Sequence, residues 1–354
     1  MKKIFICGYY GFDNLGDEAI LKALVEGIRQ QAPGAEITVL SASRHKTEEE
    51  YGVRAISRND YRALMHAMKT QDLILFGGGS LLQDVTSSRS ILYYLGLMFL
   101  GKMHRKPIYM VAQGIGPIRR PHFRRMTRTM FRSARYISVR DRVSLEELER
   151  MGISRDRIVL TTDPVWGLPV EGHRKERVGE KKPKVLLSLR PWGNPAAMEA
   201  KWVKLVNALQ GELQAEVELL SFHRSQDAPL SKKIAEKTGC EWMPHTDEVD
   251  TILQRIEGAD LLIGVRLHSL IFSALVGTPM IGLSYDPKVD AFVEAMEAGP
   301  AYGVEQFSVG ELVNMAKVRL QDEGFYADLQ AKSRALRNQA QEDQKEMIQE
   351  LLNE

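Results

Sequence analysis

The chain has 354 residues, 44% of them hydrophobic and 27% charged, which excludes disordered and fibrous proteins and is enough for two domains with separate cores. Only two cysteines are present and the longest apolar run covers residues 91–100, which excludes a disulfide framework, a structural zinc site and a membrane-spanning helix. The formal net charge is only +2, but residues 119–142 contain nine arginines and a single acidic residue, so the basic character is local.

Short apolar runs alternate with segments of helical period in the first half of the chain. The first residues lead into a strand rather than a signal peptide, so we expect a cytoplasmic protein. Five runs bounded by Gly, Pro or Asp are predicted strands: residues 3–7, 37–40, 72–76, 108–112 and 136–139. Alternation of this kind is typical of a parallel sheet with helices on both faces.

A second series of strands begins after a segment rich in Pro, Gly and charge. Its predicted strands are residues 184–189, 216–221, 260–263 and 280–283. We therefore predict an α/β protein with two doubly wound, Rossmann-like domains facing each other across a cleft. The expected division is an N-terminal domain over 1–170, a linker over 171–183, a C-terminal domain over 184–320, and a helical tail over 321–354 near the hinge.

The loop after the first predicted strand contains three glycines and three acidic residues. Asp17 is placed to cap the following helix, while Asp13 and Asp17 lie where a phosphate would be repelled. A neutral ligand with hydroxyl groups, such as a sugar, fits this loop better than a phosphate, and a plain capped turn is the alternative. Tyr10, Asn14 and Gly16 are the candidate acceptor contacts here.

Two glycine-rich turns follow later predicted strands. Residues 77–79 are three successive glycines, and Gln113 opens the sequence Gln-Gly-Ile-Gly-Pro. Glycines let backbone amides approach a ligand, and a glutamine side chain offers both a donor and an acceptor. Gly78, Gly79 and Gln113 are therefore further acceptor candidates, although tight packing alone also produces such turns.

The arginine-rich segment predicts a basic amphipathic helix. Arg120, Arg124, Arg128 and Arg132 recur at helical spacing, which suits an anionic lipid surface or a diphosphate. A solvated surface helix is the alternative. Nucleic acid is not expected, because the segment lacks interleaved aromatic residues and a recognisable binding module.

The strongest candidate site follows the predicted strand over residues 260–263. Arg266 and His268 are two residues apart and share one side if the chain is still extended. The next helix begins there and contributes its positive N-terminus. A guanidinium, an imidazole and helix amides together suit a small anion that must be held and protonated, and an Arg–His pair that only caps structure is the alternative.

Three supporting residues follow other predicted strands. Arg190 ends the first strand of the second series, and His223 follows the second strand. Arg140 follows the last strand of the first series. Each alone is more typical of an ordinary structural partner, but ligands of parallel sheets bind at the carboxyl ends of strands, which all three share.

These motifs together resemble bacterial polysaccharide pyruvyltransferases of the CsaB type across nearly the whole chain. The resemblance rests on the glycine and acidic residues at 8–18, the glycine triplet, Gln-Gly-Ile-Gly-Pro at 113–117, Ser-Val-Arg-Asp at 138–141 and Arg-Leu-His-Ser at 266–269. It implies a glycosyltransferase-B-like fold and phosphoenolpyruvate as the donor. It also implies a 4,6-linked pyruvate ketal on β-ManNAc of a lipid-diphosphate-linked disaccharide, for secondary cell wall polymers that anchor S-layer proteins.

Under this resemblance, Arg266 is expected to hold the trianionic donor with help from Arg190 and Arg140. Ser269 and His223 join the donor site. His268 is expected to donate a proton, because histidine exchanges protons near neutral pH. Asp13 or Asp17 would be the base that deprotonates the sugar hydroxyl.

We expect no metal and no other cofactor, because arginines can neutralise the donor. A lipid-linked acceptor implies peripheral contact with the cytoplasmic face of the membrane. Two rivals remain. A nucleotide-sugar glycosyltransferase on the same fold could use Asp286 and Glu294 as an acidic pair, and a non-catalytic protein could bind acidic glycans or lipid phosphates in the same place.

Overall fold

The computed structural model describes residues 2–85, 88–170 and 182–352. Contacts divide the chain into two units. The first comprises Met1–Phe12, Asp17–Leu168 and Leu336–Glu354, and the second comprises Asp13–Gly16 and Pro169–Ala335. The predicted linker over 171–183 lies outside the described residues as far as 181.

The first unit alternates strands and helices from its N-terminus. Its strands are β1 Lys3–Tyr10, β2 Glu36–Ser41, β3 Arg54–Ser57, β4 Leu73–Gly77, β5 Ile108–Gln113, β6 Tyr136–Val139 and β7 Val159–Leu160. Its helices are α1 Leu15–Gln31, α2 Arg44–Tyr51, α3 Tyr61–Thr70, α4 Ser88–Met103, α5 Pro121–Ser133 and α6 Arg142–Arg150.

The seven strands of this unit pair in parallel in the order β3-β2-β1-β4-β5-β6-β7. The central strands β4 and β5 are buried along their whole length, which explains why their sequences are continuous apolar runs. From β1 the chain adds β2 and β3 on one side and then β4 to β7 on the other, so the topological switch point lies between β1 and β4. A doubly wound sheet binds ligands at the carboxyl ends of the strands that flank its switch point.

The second unit repeats this construction. Its strands are β8 Lys184–Ser188, β9 Glu216–Leu220, β10 Glu241–Trp242, β11 Leu261–Gly264, β12 Met280–Ser284 and β13 Tyr302–Gly303. Its helices are α7 Pro195–Glu212, α8 Ala228–Thr238, α9 Val249–Glu257, α10 Leu267–Val276, α11 Pro287–Ala295 and α12 Val309–Arg319. The strands are parallel in the order β10-β9-β8-β11-β12-β13, so the switch point lies between β8 and β11.

The prediction of two doubly wound α/β sheets is confirmed, and all nine predicted strands are present within two or three residues at their ends. Four strands were missed: β3, β7, β10 and β13. Each of the four lies at an edge of its sheet and has at most four residues. Edge strands are short and partly exposed, so they lack the apolar run that indicates a strand in sequence.

The predicted helical tail is one long helix, α13, over Glu323–Leu352. Its residues up to Ala335 group with the second unit, and those from Leu336 onward group with the first. In the first unit, the carboxylate of Asp343 accepts hydrogen bonds from the Thr162 backbone and hydroxyl at 2.8 and 3.0 Å. The tail therefore belongs to the fold of both units.

Candidate active site

In the second unit, four polar or aromatic side chains follow four neighbouring strands. Arg190 follows β8, His223 follows β9, Arg266 follows β11 and Tyr285 follows β12. Because the strands are parallel, their carboxyl ends meet at the same edge of the sheet. Arg190 and Arg266 follow the two strands that flank the switch point, which is the standard ligand position of this fold.

A buried carboxylate holds the Arg266 guanidinium. Its Nε and Nη2 donate to the two carboxylate oxygens of Asp227 at 3.0 and 2.6 Å, and Nη2 also donates to Gln226 Oε1 at 3.0 Å. Asp227 is fully buried and Arg266 is partly exposed. Nη1 forms no hydrogen bond with any described residue. One edge of the guanidinium is therefore fixed while the other can bind an anion.

Arg190 is held by an aromatic side chain that the sequence analysis missed. Its Nη1 donates to the Tyr285 hydroxyl at 2.6 Å, and its guanidinium carbon lies 4.3 Å from the centre of the Tyr285 ring. Burial and the nearby Arg266 guanidinium lower the pKa of Arg190. Two guanidinium groups that destabilise each other attract an anion more strongly than either would alone.

His223 is buried beside these arginines. Its Nδ1 lies 3.4 Å from Ser225 Oγ, and its Nε2 has no hydrogen-bond partner among the described residues. Burial and Arg266 lower the pKa of His223 to about 4, so the imidazole is neutral at pH 7. An unsatisfied buried nitrogen is costly without a ligand, and a neutral imidazole suits hydrogen bonding to a ligand rather than proton donation.

His268 occupies the first turn of α10, and Arg266 is the residue that precedes this helix. The extended chain that would put Arg266 and His268 on one side is absent, because β11 ends at Gly264 and helical geometry begins at Leu267. The N-terminus of α10 instead positions both side chains. The amides of this first turn add positive potential at the same edge of the sheet.

The loop over Asp13–Gly16 groups with this unit and contacts these residues. Asn14 forms an isolated backbone bridge with His223. Asp13 adopts a left-handed backbone conformation, with φ 56°, and its carboxylate lies 3.2 Å from Arg224 Nε. Gly16 packs directly against the imidazole of His268. The candidate base Asp13 and the candidate acid His268 therefore both belong to the second unit.

The prediction that Ser269 belongs to the donor site is corrected. It is fully buried, and its hydroxyl donates to the Arg266 carbonyl at 2.6 Å. A side chain used in this way closes the turn at the start of α10. Ser269 therefore positions the backbone of Arg266 and leaves no atom of its own exposed.

Replacing Gly16 by Ala is expected to lower turnover by about 10- to 100-fold without unfolding the protein. An added Cβ would overlap Nδ1 and Cγ of His268, so the imidazole must move, and small misplacements of reacting groups cost rates of this size. Steady-state kinetics and thermal unfolding measure the two effects. Gly310→Ala is the matched control, because its Cβ meets no atom within 4 Å. Wild-type turnover in Gly16→Ala would contradict a role for the His268 position.

The first unit holds the remaining residues of the predicted acceptor site. Helix α1 begins at Leu15, so the prediction that Asp17 caps this helix is wrong. Asp17 lies in the first turn instead, and a Cβ on Gly79 would be 2.8 Å from its Oδ1. Gly78 and Gly79 both have left-handed backbone, with φ 56° and 72°. Glycine at 79 therefore lets the backbone approach the Asp17 carboxylate closely.

Two predicted acceptor contacts in this unit are turned inward. The buried Tyr10 hydroxyl donates to the Gly77 carbonyl at 2.6 Å. Gln113 is fully buried, and its Nε2 donates to three backbone carbonyls, those of Phe76, Gly78 and Val111. The prediction that these side chains contact an acceptor is corrected, because both are used to shape the glycine turn after β4.

Glu18 is a buried carboxylate that serves the same loop. It accepts hydrogen bonds from the Gly11 amide at 2.7 Å and the Tyr51 hydroxyl at 3.1 Å. Burial raises its pKa to about 7 despite these hydrogen bonds. The hydrogen bond from Gly11 to Glu18 therefore holds the loop after β1 in place.

Arg140 is buried in the first unit. It forms an ion pair with Asp163 and lies 3.9 Å from Asp141. These carboxylates raise its pKa despite the cost of burial. Its charge is therefore compensated locally, and donor binding by Arg140 stays a prediction.

Three of the predicted docking arginines lie on helix α5, and the fourth, Arg120, directly precedes it. Arg124 lies 2.6 Å from Glu147, and Arg120 contacts the hydroxyl of Ser88. Arg128 and Arg132 are exposed. The helix packs through Phe123, Thr127, Met130 and Phe131, and the helical period of 3.6 residues rotates a strict four-residue repeat off one face. Arg120 is exposed and Arg124 is partly buried, and docking through the four arginines stays a prediction.

Sequence reasoning missed two residues of the site, Asp227 and Tyr285. Asp227 stands at the end of the polar segment after β9, and Tyr285 follows β12 directly. The signal that could have found both was their place after parallel strands. Their partners, Arg266 and Arg190, are distant in sequence and could not be assigned from spacing.

The residues of the rival hypothesis have other roles. Asp286 accepts a hydrogen bond from the Lys288 amide at 3.0 Å and so caps α11, while Glu294 is exposed on the same helix. Among residues 2–85, 88–170 and 182–352, no three His, Cys, Asp or Glu side chains gather as a metal site. In the same residues no helix is both long and apolar enough to cross a membrane.

Two parallel Rossmann-like sheets, with Arg190 and Arg266 at the switch point of the second, define an α/β protein of the doubly wound class. Residues 14–287 match the family model described as "Polysaccharide pyruvyl transferase". The chain belongs to this family and is an enzyme that transfers pyruvate to a polysaccharide. The match spans the two glycine-rich turns after β4 and β5, and also Arg190 and Arg266.

Known proteins agree with the fold and the family. The chain is 21% identical to the amylovoran biosynthesis protein AmsJ of Erwinia amylovora, over 81% of this chain and 84% of the relative. The UDP-GlcNAc 2-epimerase of Neisseria meningitidis shares the fold with a TM-score of 0.65 at 9% identity, over 100% of both chains. Anabaena Alr3699/HepE gives 0.64 at 13% identity, also over 100% of both. These structures support the glycosyltransferase-B-like class and carry no information on substrate.

Proposed function

We propose that this enzyme takes pyruvate from phosphoenolpyruvate, which binds at the switch point of the second unit. The observation that carries the proposal is the Arg266–Asp227 pair, which fixes one edge of the guanidinium and leaves Nη1 available. Arg190 adds a second positive charge at the same edge of the sheet, and His223 adds a buried nitrogen in need of a partner. A carboxylate and a phosphate together need such a site.

Ketal formation from this donor has four steps. A proton is added to the methylene carbon, one sugar hydroxyl attacks C2, the bond from C2 to the phosphate oxygen breaks, and a second hydroxyl attacks C2. Two C–O bonds form and one breaks. Of the two hydroxyl protons released, one balances the new methyl group and the other leaves with phosphate. Arginines stabilise the departing phosphate, so we propose that no metal or other cofactor is required.

We propose His268 as the proton donor to the methylene carbon. His223 is unsuited to this step because its lowered pKa keeps it neutral at pH 7. His268 stands on the first turn of α10, directly after Arg266 and Leu267. Asp13 and Asp17 remain the candidate bases for the sugar hydroxyl. Asp13 belongs to the second unit, as His268 does, whereas Asp17 belongs to the first unit.

The acceptor is proposed in more detail from the resemblance alone. It is a lipid-diphosphate-linked disaccharide whose β-ManNAc receives a 4,6-ketal, for secondary cell wall polymers and S-layer anchoring. Asn14, Gly16, Gly78 and Gly79 are its proposed contacts. The role of the relative AmsJ in amylovoran biosynthesis supports a saccharide acceptor in general. A lipid-linked acceptor places the enzyme on the cytoplasmic face of the membrane in this proposal.

Phosphate release tests the proposal directly. The purified enzyme is expected to release phosphate from phosphoenolpyruvate only when a glycan acceptor is present, with a matching mass gain on the acceptor. UDP-sugars are the control donors. Transfer from a UDP-sugar, or phosphate release independent of any glycan, would contradict the proposal.

A further inference from the structure

Helix α4 exposes an apolar stripe that the function so far does not use. Leu92, Phe99 and Met103 are 48, 53 and 62% exposed, and Gly96 lies between them. Their spacing of four, three and four residues puts them on one face of the helix. Other apolar side chains of this helix, which include Ile91, Tyr94, Leu95 and Met98, are buried in the core. The exposed stripe is therefore not needed for packing within the unit.

Helix α5 extends this stripe into a wider apolar groove. Met126 is 41% exposed and lines the same groove as Leu92, Gly96 and Phe99, together with Thr129 and the buried Met130. We call this surface, formed by Leu92, Gly96, Phe99, Met103 and Met126, the α4–α5 face. A contiguous exposed apolar surface of this kind marks an interaction site.

The charge around the α4–α5 face has one sign. Neither helix contains Asp or Glu. Arg125 lines the groove, and Arg128 and Arg132 are exposed on the same helix. Lys102 and Arg105 are exposed at the end of α4. Apolar residues surrounded by basic residues are typical of a helix that lies in the interface of an anionic bilayer.

We propose that the α4–α5 face binds the surface of an anionic membrane, with Leu92, Phe99, Met103 and Met126 inserted among the lipids and the basic residues at the headgroups. This inference deepens the membrane location proposed above and moves it from the arginine repeat to a surface on two helices. A second copy of the chain is a poorer occupant, because pairing two such faces would bring like charges together.

Vesicle sedimentation of the full chain tests the inference. We expect binding to vesicles of phosphatidylcholine mixed with phosphatidylglycerol, and much weaker binding to phosphatidylcholine alone. The double variant Phe99→Asp/Met103→Asp should reduce binding about tenfold or more, because two apolar side chains no longer insert. Arg125→Glu/Arg132→Glu should reduce it similarly and weaken its salt dependence.

The matched control is Lys317→Glu/Val318→Asp on α12, which removes one exposed cation and one exposed apolar side chain. It should bind vesicles like the wild type. Thermal unfolding checks that every variant folds, which is expected because the changed side chains are exposed. Phosphate release with a short soluble acceptor should be unchanged in Phe99→Asp/Met103→Asp.

The outcomes separate this inference from the proposed function. Absence of phosphate release in the wild type overturns the proposed function and leaves vesicle binding intact. Equal binding to both vesicle types, or wild-type binding by the α4–α5 variants, overturns the inference. Dimerisation by light scattering that Phe99→Asp/Met103→Asp abolishes overturns it in favour of a second copy.

Discussion

Replacing His268 by Ala is expected to lower turnover by roughly 10²- to 10⁴-fold while changing donor affinity much less. A general acid contributes a factor of this size, because it delivers the proton only in the transition state. His268 stands on the first turn of α10 and packs against Gly16, so its removal leaves Arg266 and Arg190 in place. Single-turnover rates and direct binding of phosphoenolpyruvate measure the two quantities separately.

His223→Ala is the matched control for this experiment. Both imidazoles follow strands of the same sheet, but the lowered pKa of His223 keeps it neutral at pH 7. Its loss should weaken donor binding more than it slows the chemical step. Equal losses of affinity and turnover in His268→Ala would instead assign His268 to donor binding.

Arg266→Lys is expected to weaken binding of phosphoenolpyruvate by about 10- to 100-fold, the range of a charge-assisted hydrogen bond. Lysine keeps the positive charge beside Asp227. It cannot hold both carboxylate oxygens and also present a nitrogen to the donor, as the Arg266 fork does. Calorimetric titration of the donor measures the loss, and Arg255→Lys, an exposed arginine on α9, is the control.

Arg266→Ala should have a second and larger effect, on the free energy of unfolding. It leaves the fully buried Asp227 carboxylate without its partner, which costs about 3–5 kcal/mol. The double variant Arg266→Met/Asp227→Asn should recover most of that stability, because no unpaired charge remains, yet still fail to bind the donor. Wild-type donor affinity in Arg266→Lys, or in the double variant, would refute donor binding by Arg266.

The sequence predicted the central strands because those strands are buried on both faces and therefore appear as continuous apolar runs. It also predicted Arg190, His223 and Arg266 as site residues, since the parallel architecture brings the ends of all strands to one edge. The edge strand β3 and its three counterparts were not predicted, because partial exposure removes the apolar signal. Burial therefore explains which strands could be predicted from sequence, whereas the roles of the three site residues stay predictions.

What the sequence by itself determined was the α/β class, the repeated parallel sheet and the strand ends at which chemistry belongs, because periodicity and glycine spacing are local properties. Only the tertiary structure decided which polar groups meet. Asp227 and Arg266 are paired although they are 39 residues apart in the sequence, and Tyr285 and Arg190 although they are 95 apart. Gly16 packs against the imidazole of His268. It also turned Tyr10, Gln113 and Ser269 inward and left the α4–α5 face exposed. Such pairings depend on how distant segments pack, and no spacing along the chain records that.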